Sequence, residues 1–135
     1  MDQRLAITTA PSDLARLYPW LDEAAAQAGV PDLLLARLHV AAEEAVMNVA
    51  MHGIGLDRGG VITVSLRQED AVVALVVEDS GPAFDPVAAP AVAKDVSLRG
   101  AGAGGLGLRL LRHYCKDMAY HREAGVNRLI LRFAL

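Results

Sequence analysis

Three stretches of the chain carry residue types at spacings that can do chemistry. In the first, Glu44, Asn48 and His52 recur every four residues, which stacks them along one stripe of a helix. An asparagine oxygen is a hard ligand suited to magnesium, and a glutamate can accept a proton. Asparagine is a poor helix former, so its place mid-helix calls for a reason. Glu43 lies about 100 degrees further round the helix and points elsewhere. Taken alone, a polar stripe turned to water is the commoner source of such a pattern.

The second stretch is Val76-Val77-Glu78-Asp79-Ser80-Gly81-Pro82-Ala83-Phe84-Asp85-Pro86. It places a carboxylate at the end of an apolar strand, beside a glycine whose bare backbone a ligand can approach. A carboxylate acceptor there suits the exocyclic amine of a purine. An ordinary Asp-Ser-Gly turn has the same sequence. The third stretch runs from Gly100 to Leu108 and holds five glycines in eight residues. Backbone amides of such a segment, leading into a helix start, can cradle phosphates. A flexible connection is the plainer reading, but so many glycines carry a heavy entropic cost for mere connection.

Several other motifs are excluded. Gly102, Gly104 and Gly107 satisfy G-x-G-x-x-G, with Glu123 roughly twenty residues on, as in dinucleotide binders. That fingerprint must follow a strand, and here it follows a loop rich in proline and alanine. No Gly-Lys-Ser/Thr follows the glycines, so they are not a Walker A motif. No G-x-S-x-G elbow is present. His39, His113 and His121 lack the spacing of zinc ligands and read as surface or structural residues. Cys115 falls in a predicted helix and reads as a small core residue.

The elements that must position these residues follow from periodicity and punctuation. Gln3–Thr8 alternates loosely and predicts an edge strand. Pro11-Ser12-Asp13 predicts a helix start with Ser12 or Asp13 as the cap. Pro19 breaks or restarts that helix, and Gly29-Val30-Pro31 ends it. A long helix is expected from about Asp32 to His52, with Leu35, Leu38, Ala42, Ala45 and Val49 as its apolar face and Gly53-Ile54-Gly55 as its stop. Val61–Arg67 and Ala71–Val77 predict an antiparallel hairpin around Gln68-Glu69-Asp70, the second strand central in the sheet. A long irregular stretch runs from Asp79 to about Gly105, of a length that is usually functional or mobile. Leu106–Lys116 predicts a helix. Met118–Arg122 and Arg128–Phe133 predict a final strand pair around Gly125-Val126-Asn127. Hairpins outnumber crossovers, which implies an α+β fold, a two-layer sandwich with a mostly antiparallel sheet and helices on one face.

Composition bounds the rest. The 135 residues fit one domain, 1–135, large enough to build a core without staples. With 53% hydrophobic and 21% charged residues the chain is expected to fold. A net charge of −3 argues against a general nucleic-acid binder. Residues 1–98 hold six basic and fourteen acidic side chains, a balance of −8, and residues 99–135 hold seven and two, a balance of +5. Solvated surface charge accounts for this split, as does a C-terminal third that handles phosphate. A single cysteine allows no internal disulfide. No apolar leader and no membrane-length apolar run is present, so the expected location is the cytoplasm.

The order of the three stretches is more specific than any one of them. An E-x-x-x-N-x-x-x-H helix, a strand ending in Asp-x-Gly and a glycine-rich segment opening a helix together resemble the GHKL ATP-binding superfamily. The motifs EEAVMNVAMHG, VEDSGPAFDP, GGLGLRLLRHYCKDMAY and GVNRLILRF look closest to its small anti-sigma-factor serine/threonine kinases, from about Leu33 to Phe133. The resemblance implies the Bergerat-type ATP-binding fold, with ATP and Mg²⁺ as cofactors. It implies Asn48 as the magnesium ligand, Glu44 as catalytic base and His52 on the phosphate side. Asp79 would bind the adenine amine and Gly81 let the ring approach, while Gly102, Gly104, Gly105, Leu106 and Gly107 would form the lid and phosphate cradle. Arg99 and Arg109 are the nearest cations for the γ-phosphate. The adenine-side threonine of related sites is absent; Val126 and Asn127 stand there. The implied partners are an anti-anti-sigma protein with a phosphoacceptor serine and a sigma factor, with the chain itself as a homodimer. Two alternatives remain open: a non-catalytic ATP-binding switch, and a stand-alone ATPase domain of histidine-kinase type.

Overall fold

The structure is a computed structural model that describes residues 2–54, 60–87 and 111–135. Among the described residues, strands β1 (Asp2–Thr8), β2 (Val61–Glu69), β3 (Val72–Asp79), β4 (Asp117–Glu123) and β5 (Val126–Ala134) form one sheet in the order β1-β2-β3-β5-β4. Every neighbouring pair is antiparallel. The expected edge strand and central strand are both in place. β3 is buried without interruption from Val73 to Val77, as its unbroken apolar run leads one to expect of the middle strand of the sheet.

Alternation sorts the sheet into two faces. Leu5, Ile7, Ile62, Val64, Leu66, Val73, Leu75, Val77, Leu129, Leu131 and Phe133 point to one side and join the helices in a single core. The other side carries Arg4, Ser65, Arg67, Val76, Glu78 and Arg128. There Glu78 and Arg128 face each other across β3 and β5 and pair at 2.9 Å.

The helices lie on the apolar side. α1 (Pro11–Leu14) starts with proline at its first position, where the missing N–H costs nothing. Its cap position is Ala10, not Ser12 or Asp13. Asp13 instead reaches back, its Oδ2 accepting the Thr8 N–H at 2.8 Å and so tying the helix to the end of β1. α2 (Leu17–Gln27) takes Pro19 in its first turn, which restarts rather than breaks the helix. It closes with Gly29 at φ 72° and with the Val30 N–H on the Ala25 carbonyl and the Gly29 N–H on that of Ala26, the glycine-dependent stop expected of Gly29-Val30-Pro31.

α3 (Asp32–Asn48) buries Leu34, Leu38, Ala41, Ala42, Ala45, Val46 and Asn48. The apolar face is thus centred slightly off the expected one: Leu38, Ala42 and Ala45 are buried, while Leu35 and Val49 pack at its margin. From Val49 to Ile54 the chain continues as a π-helical turn. Near the C-terminus, residues 111–114 are helical and the expected continuation to Lys116 fails. The Lys116 N–H already donates to the Arg132 carbonyl, so the backbone has joined the sheet. Cys115 therefore lies beyond the helix, half-buried against the core, where burial pushes its thiol up to about 12. Among the described residues no helix is long and apolar enough to cross a membrane.

Candidate functional site

Register builds the site. Reading across the sheet, Ile62 pairs with Asp79, Asp79 with Asn127, and Asn127 with Arg122. Residues directly opposite share a face, so these side chains form one row at the end of the core-facing side. Val77, Leu129 and Tyr120 form the next row inward. The strand that delivers Asp79 also sets its burial: its side of β3 is Val73, Leu75, Val77, Asp79, and the carboxylate ends that apolar series at 5% exposure.

The Asp79 carboxylate is held in place by two donors on the same oxygen. Oδ2 accepts the Gly81 N–H at 2.8 Å and an Asn127 Nδ2 proton at 3.2 Å. Asn127, 4% exposed, also donates to the Pro82 carbonyl at 2.9 Å and the Gly81 carbonyl at 3.3 Å. Its Oδ1 accepts the Tyr120 hydroxyl and an Arg122 guanidinium proton. The turn after β3 is thus bound to β5 by side chains rather than by the ladder.

Gly81 is needed for close approach. A β-carbon there would sit 2.9 Å from Ile54 Cγ1 and 3.0 Å from Asp79 Oδ2. Gly81→Ala is therefore expected to push apart the π-helical turn and the Asp79 carboxylate. A loss of about 1–3 kcal/mol, the usual cost of overpacking, is expected in chemical denaturation.

Opposite this row stands α3. Asn48 is 5% exposed, and its Nδ2 is buried with no hydrogen-bond partner, the only such side-chain atom among the described residues. Burial rules out a water-facing place for Asn48. An unpaired buried amide costs about 1–3 kcal/mol, which sets Asn48 apart from the other buried polar side chains among the described residues. Asn48 and Asp79 line one cavity, together with Ala45, Val49, Val77, Phe84, Pro86, Tyr120, Asn127 and Leu129. Its free volume is about 10 Å³, room for a single water. A larger groove of about 310 Å³ lies on the other face of the sheet between Glu78, His121, Glu123 and Arg128. It is open and gathers none of the buried polar groups that mark a site.

Glu44 sits one turn before Asn48 and is half-buried. Burial, with the charge of Glu43 second, raises its carboxyl above the ordinary range. A carboxyl so shifted is suited to proton transfer. The α-helical backbone ends at Asn48, however. Val49–Ile54 has π-helical i→i+5 pairing, so the backbone at His52 is out of phase with an α-helical repeat. The His52 side chain lies outside the described residues, as do Gly102, Gly104, Gly105, Leu106, Gly107, Arg99 and Arg109.

Sequence reasoning gave Tyr120 and Arg122 no role and named Asn127 only as standing where related sites carry a threonine. It put Asn127 in the turn, but the turn is Ala124-Gly125, both at positive φ. Extending the alternation of Phe133, Leu131 and Leu129 by one more step would have placed Asn127 on the core face.

A sequence model of the histidine kinase-like ATPase domain matches residues 7–133. A protein named serine/threonine-protein kinase BtrW, from Bordetella bronchiseptica, is 35% identical over 123 residues, which cover 91% of this chain and 86% of that protein. A protein named anti-sigma F factor, from Geobacillus kaustophilus, is 31% identical over 80 residues, 59% of this chain and 47% of that protein. The family match begins at the end of β1 and runs to the penultimate residue of β5, taking in Glu44, Asn48 and Asp79, and the chain belongs to the histidine kinase-like ATPase domain family.

Proposed function

We propose that this chain is an ATP-dependent serine/threonine protein kinase that acts as an anti-sigma regulatory factor and phosphorylates a serine on a small anti-anti-sigma partner. One observation carries the reading: Asn48 on α3 and Asp79 on β3 line the same buried cavity. The names of the two relatives support the protein-kinase and anti-sigma parts of it. The unbroken sheet and the family match support a single domain over residues 1–135.

In this reading the purine enters between α3 and the end of β3. Both donors to Asp79 fall on Oδ2, so Oδ1 accepts the exocyclic amine. Gly81 keeps the chain close to the carboxylate. Phe84 and Pro86 line the cavity from the other side and give way to the ring. The glycine-rich segment around Gly102–Gly107, with His52, belongs on the phosphate side.

The residues present also fit magnesium. The described residues hold no cluster of three His, Cys, Asp or Glu, so an all-protein cage is excluded among them. A lone carboxamide beside a triphosphate suits an ion that keeps most of its water and phosphate ligands. Asn48 would hold it, and the ion neutralises phosphate charge when bound. Glu44, one turn earlier on the helix, takes the proton of the attacking serine hydroxyl. Phosphoryl transfer asks chiefly for such positioning and charge neutralisation.

The test is direct. Titration of ATP with and without Mg²⁺ is expected to raise the melting temperature, more so with the metal. Radiolabelled ATP with the cognate partner is expected to give acid-stable phosphoserine. Binding without transfer would replace the kinase with a nucleotide-dependent switch, and acid-labile phosphate would point to histidine-kinase chemistry. Sedimentation of the purified protein tests the homodimer that the resemblance implies.

A further inference from the structure

Arg122 stands on the outermost strand, β4, yet it reaches the turn that follows β3. Its Nη1 donates to the Gly81 carbonyl at 2.9 Å and to Asn127 Oδ1 at 2.8 Å. The row across the sheet explains the reach: Arg122 is opposite Asn127, and Asn127 is opposite Asp79. A guanidinium only donates. Its contact therefore commits Asn127 to present Oδ1 outward and its NH₂ group inward, toward Asp79 Oδ2 and the carbonyls of Gly81 and Pro82. The Gly81 carbonyl, held from one side by Asn127, is held from the other by the arginine.

We propose that Arg122 is a positioning residue for the nucleotide base. It touches neither base nor phosphate. It fixes Gly81 through its carbonyl and Asn127 through its amide oxygen, and the Gly81 N–H and the Asn127 NH₂ group in turn hold Oδ2 of the Asp79 carboxylate that accepts the base. The inference rests on the ATP-binding reading above. The arginine is exposed, so its removal takes away two bonds without opening a cavity in the core. Both bonds come from a charged donor, the stronger kind of hydrogen bond.

The experiment compares wild type with Arg122→Met, which keeps the stem and loses the donors, and Arg122→Lys, which keeps a charged donor on a shorter reach. Arg128→Met, on the far face, is the control for loss of a surface arginine. Calorimetric titration with a non-hydrolysable ATP analogue and Mg²⁺ is expected to show about a tenfold weaker dissociation constant for Arg122→Met, in line with losing charge-assisted hydrogen bonds. Arg122→Lys should recover part of that loss, and Arg128→Met should bind as wild type does. Without nucleotide, hydrogen exchange of the Gly81 amide should quicken in Arg122→Met alone.

Equal affinity of wild type and Arg122→Met overturns the proposal. So does a loss that Arg128→Met shares, or one with Gly81 exchange unchanged. If wild type itself fails to bind the analogue, the ATP-binding reading falls and this inference falls with it, a result distinct from the others.

Discussion

Glu44→Gln is expected to lower phosphoryl transfer by about 10²–10⁴-fold, the usual range for loss of a general base, with ATP affinity nearly intact. The substitution keeps the size of a half-buried side chain and removes only its ability to hold a proton. Single-turnover phosphorylation of the partner serine, with analogue affinity measured alongside, checks both halves. The wild-type carboxyl is raised by burial and then by Glu43, and a base works only when deprotonated. Transfer should therefore fall as pH drops through that raised value, and Glu43→Gln should move the acid limb to lower pH. Stability follows the opposite sign. A carboxyl harder to ionise in the folded chain than in the unfolded one penalises folding above its folded pKa, and the penalty disappears below its unfolded pKa. Glu44→Gln should then be more stable than wild type at neutral pH, with this gain gone in acid. Equal transfer by wild type and variant would remove Glu44 from the chemistry.

Asp79→Asn is expected to weaken ATP binding by about two orders of magnitude, because a mispaired buried group costs about 1–3 kcal/mol on top of the lost charged bond. The change is isosteric, so the effect is one of polarity. The Gly81 N–H and the Asn127 amide both donate to Oδ2, and they will claim the single oxygen of an asparagine. Its NH₂ group then faces the cavity and meets the exocyclic amine of adenine, donor against donor. Glu44→Gln and Asp79→Asn should thus separate, one losing transfer and the other binding. Calorimetric titration of both decides, and identical behaviour would dissolve the division of roles.

Much of this was legible beforehand, for identifiable reasons. The hairpins and the central strand were visible because period-two alternation and an unbroken apolar run leave few other arrangements. Asp79 was legible because an acidic residue ending an apolar strand before glycine is locally conspicuous, and Asn48 because a poor helix former mid-helix needs an explanation. The family resemblance drawn from those motifs is borne out by the match over residues 7–133.

What escaped depends on more than local pattern. Ala124 at φ 52° is an unfavourable choice for a turn, so the sequence centres the turn on Gly125-Val126-Asn127, one residue late, and hides the row from Asp79 to Arg122. The π-helical turn after Asn48 has no propensity signal, although it ends on Ile54, which lies against Gly81. Pairing of Asp79 with Asn127 joins residues far apart in sequence, and only strand register reveals it.

The cavity between Asn48 and Asp79, with space for one water, has a kinetic meaning. A purine is larger than that space, so docking there requires lining side chains such as Phe84 and Pro86 to shift. Association should proceed in two stages, encounter and then rearrangement, so that the observed rate levels off at high ATP instead of climbing linearly.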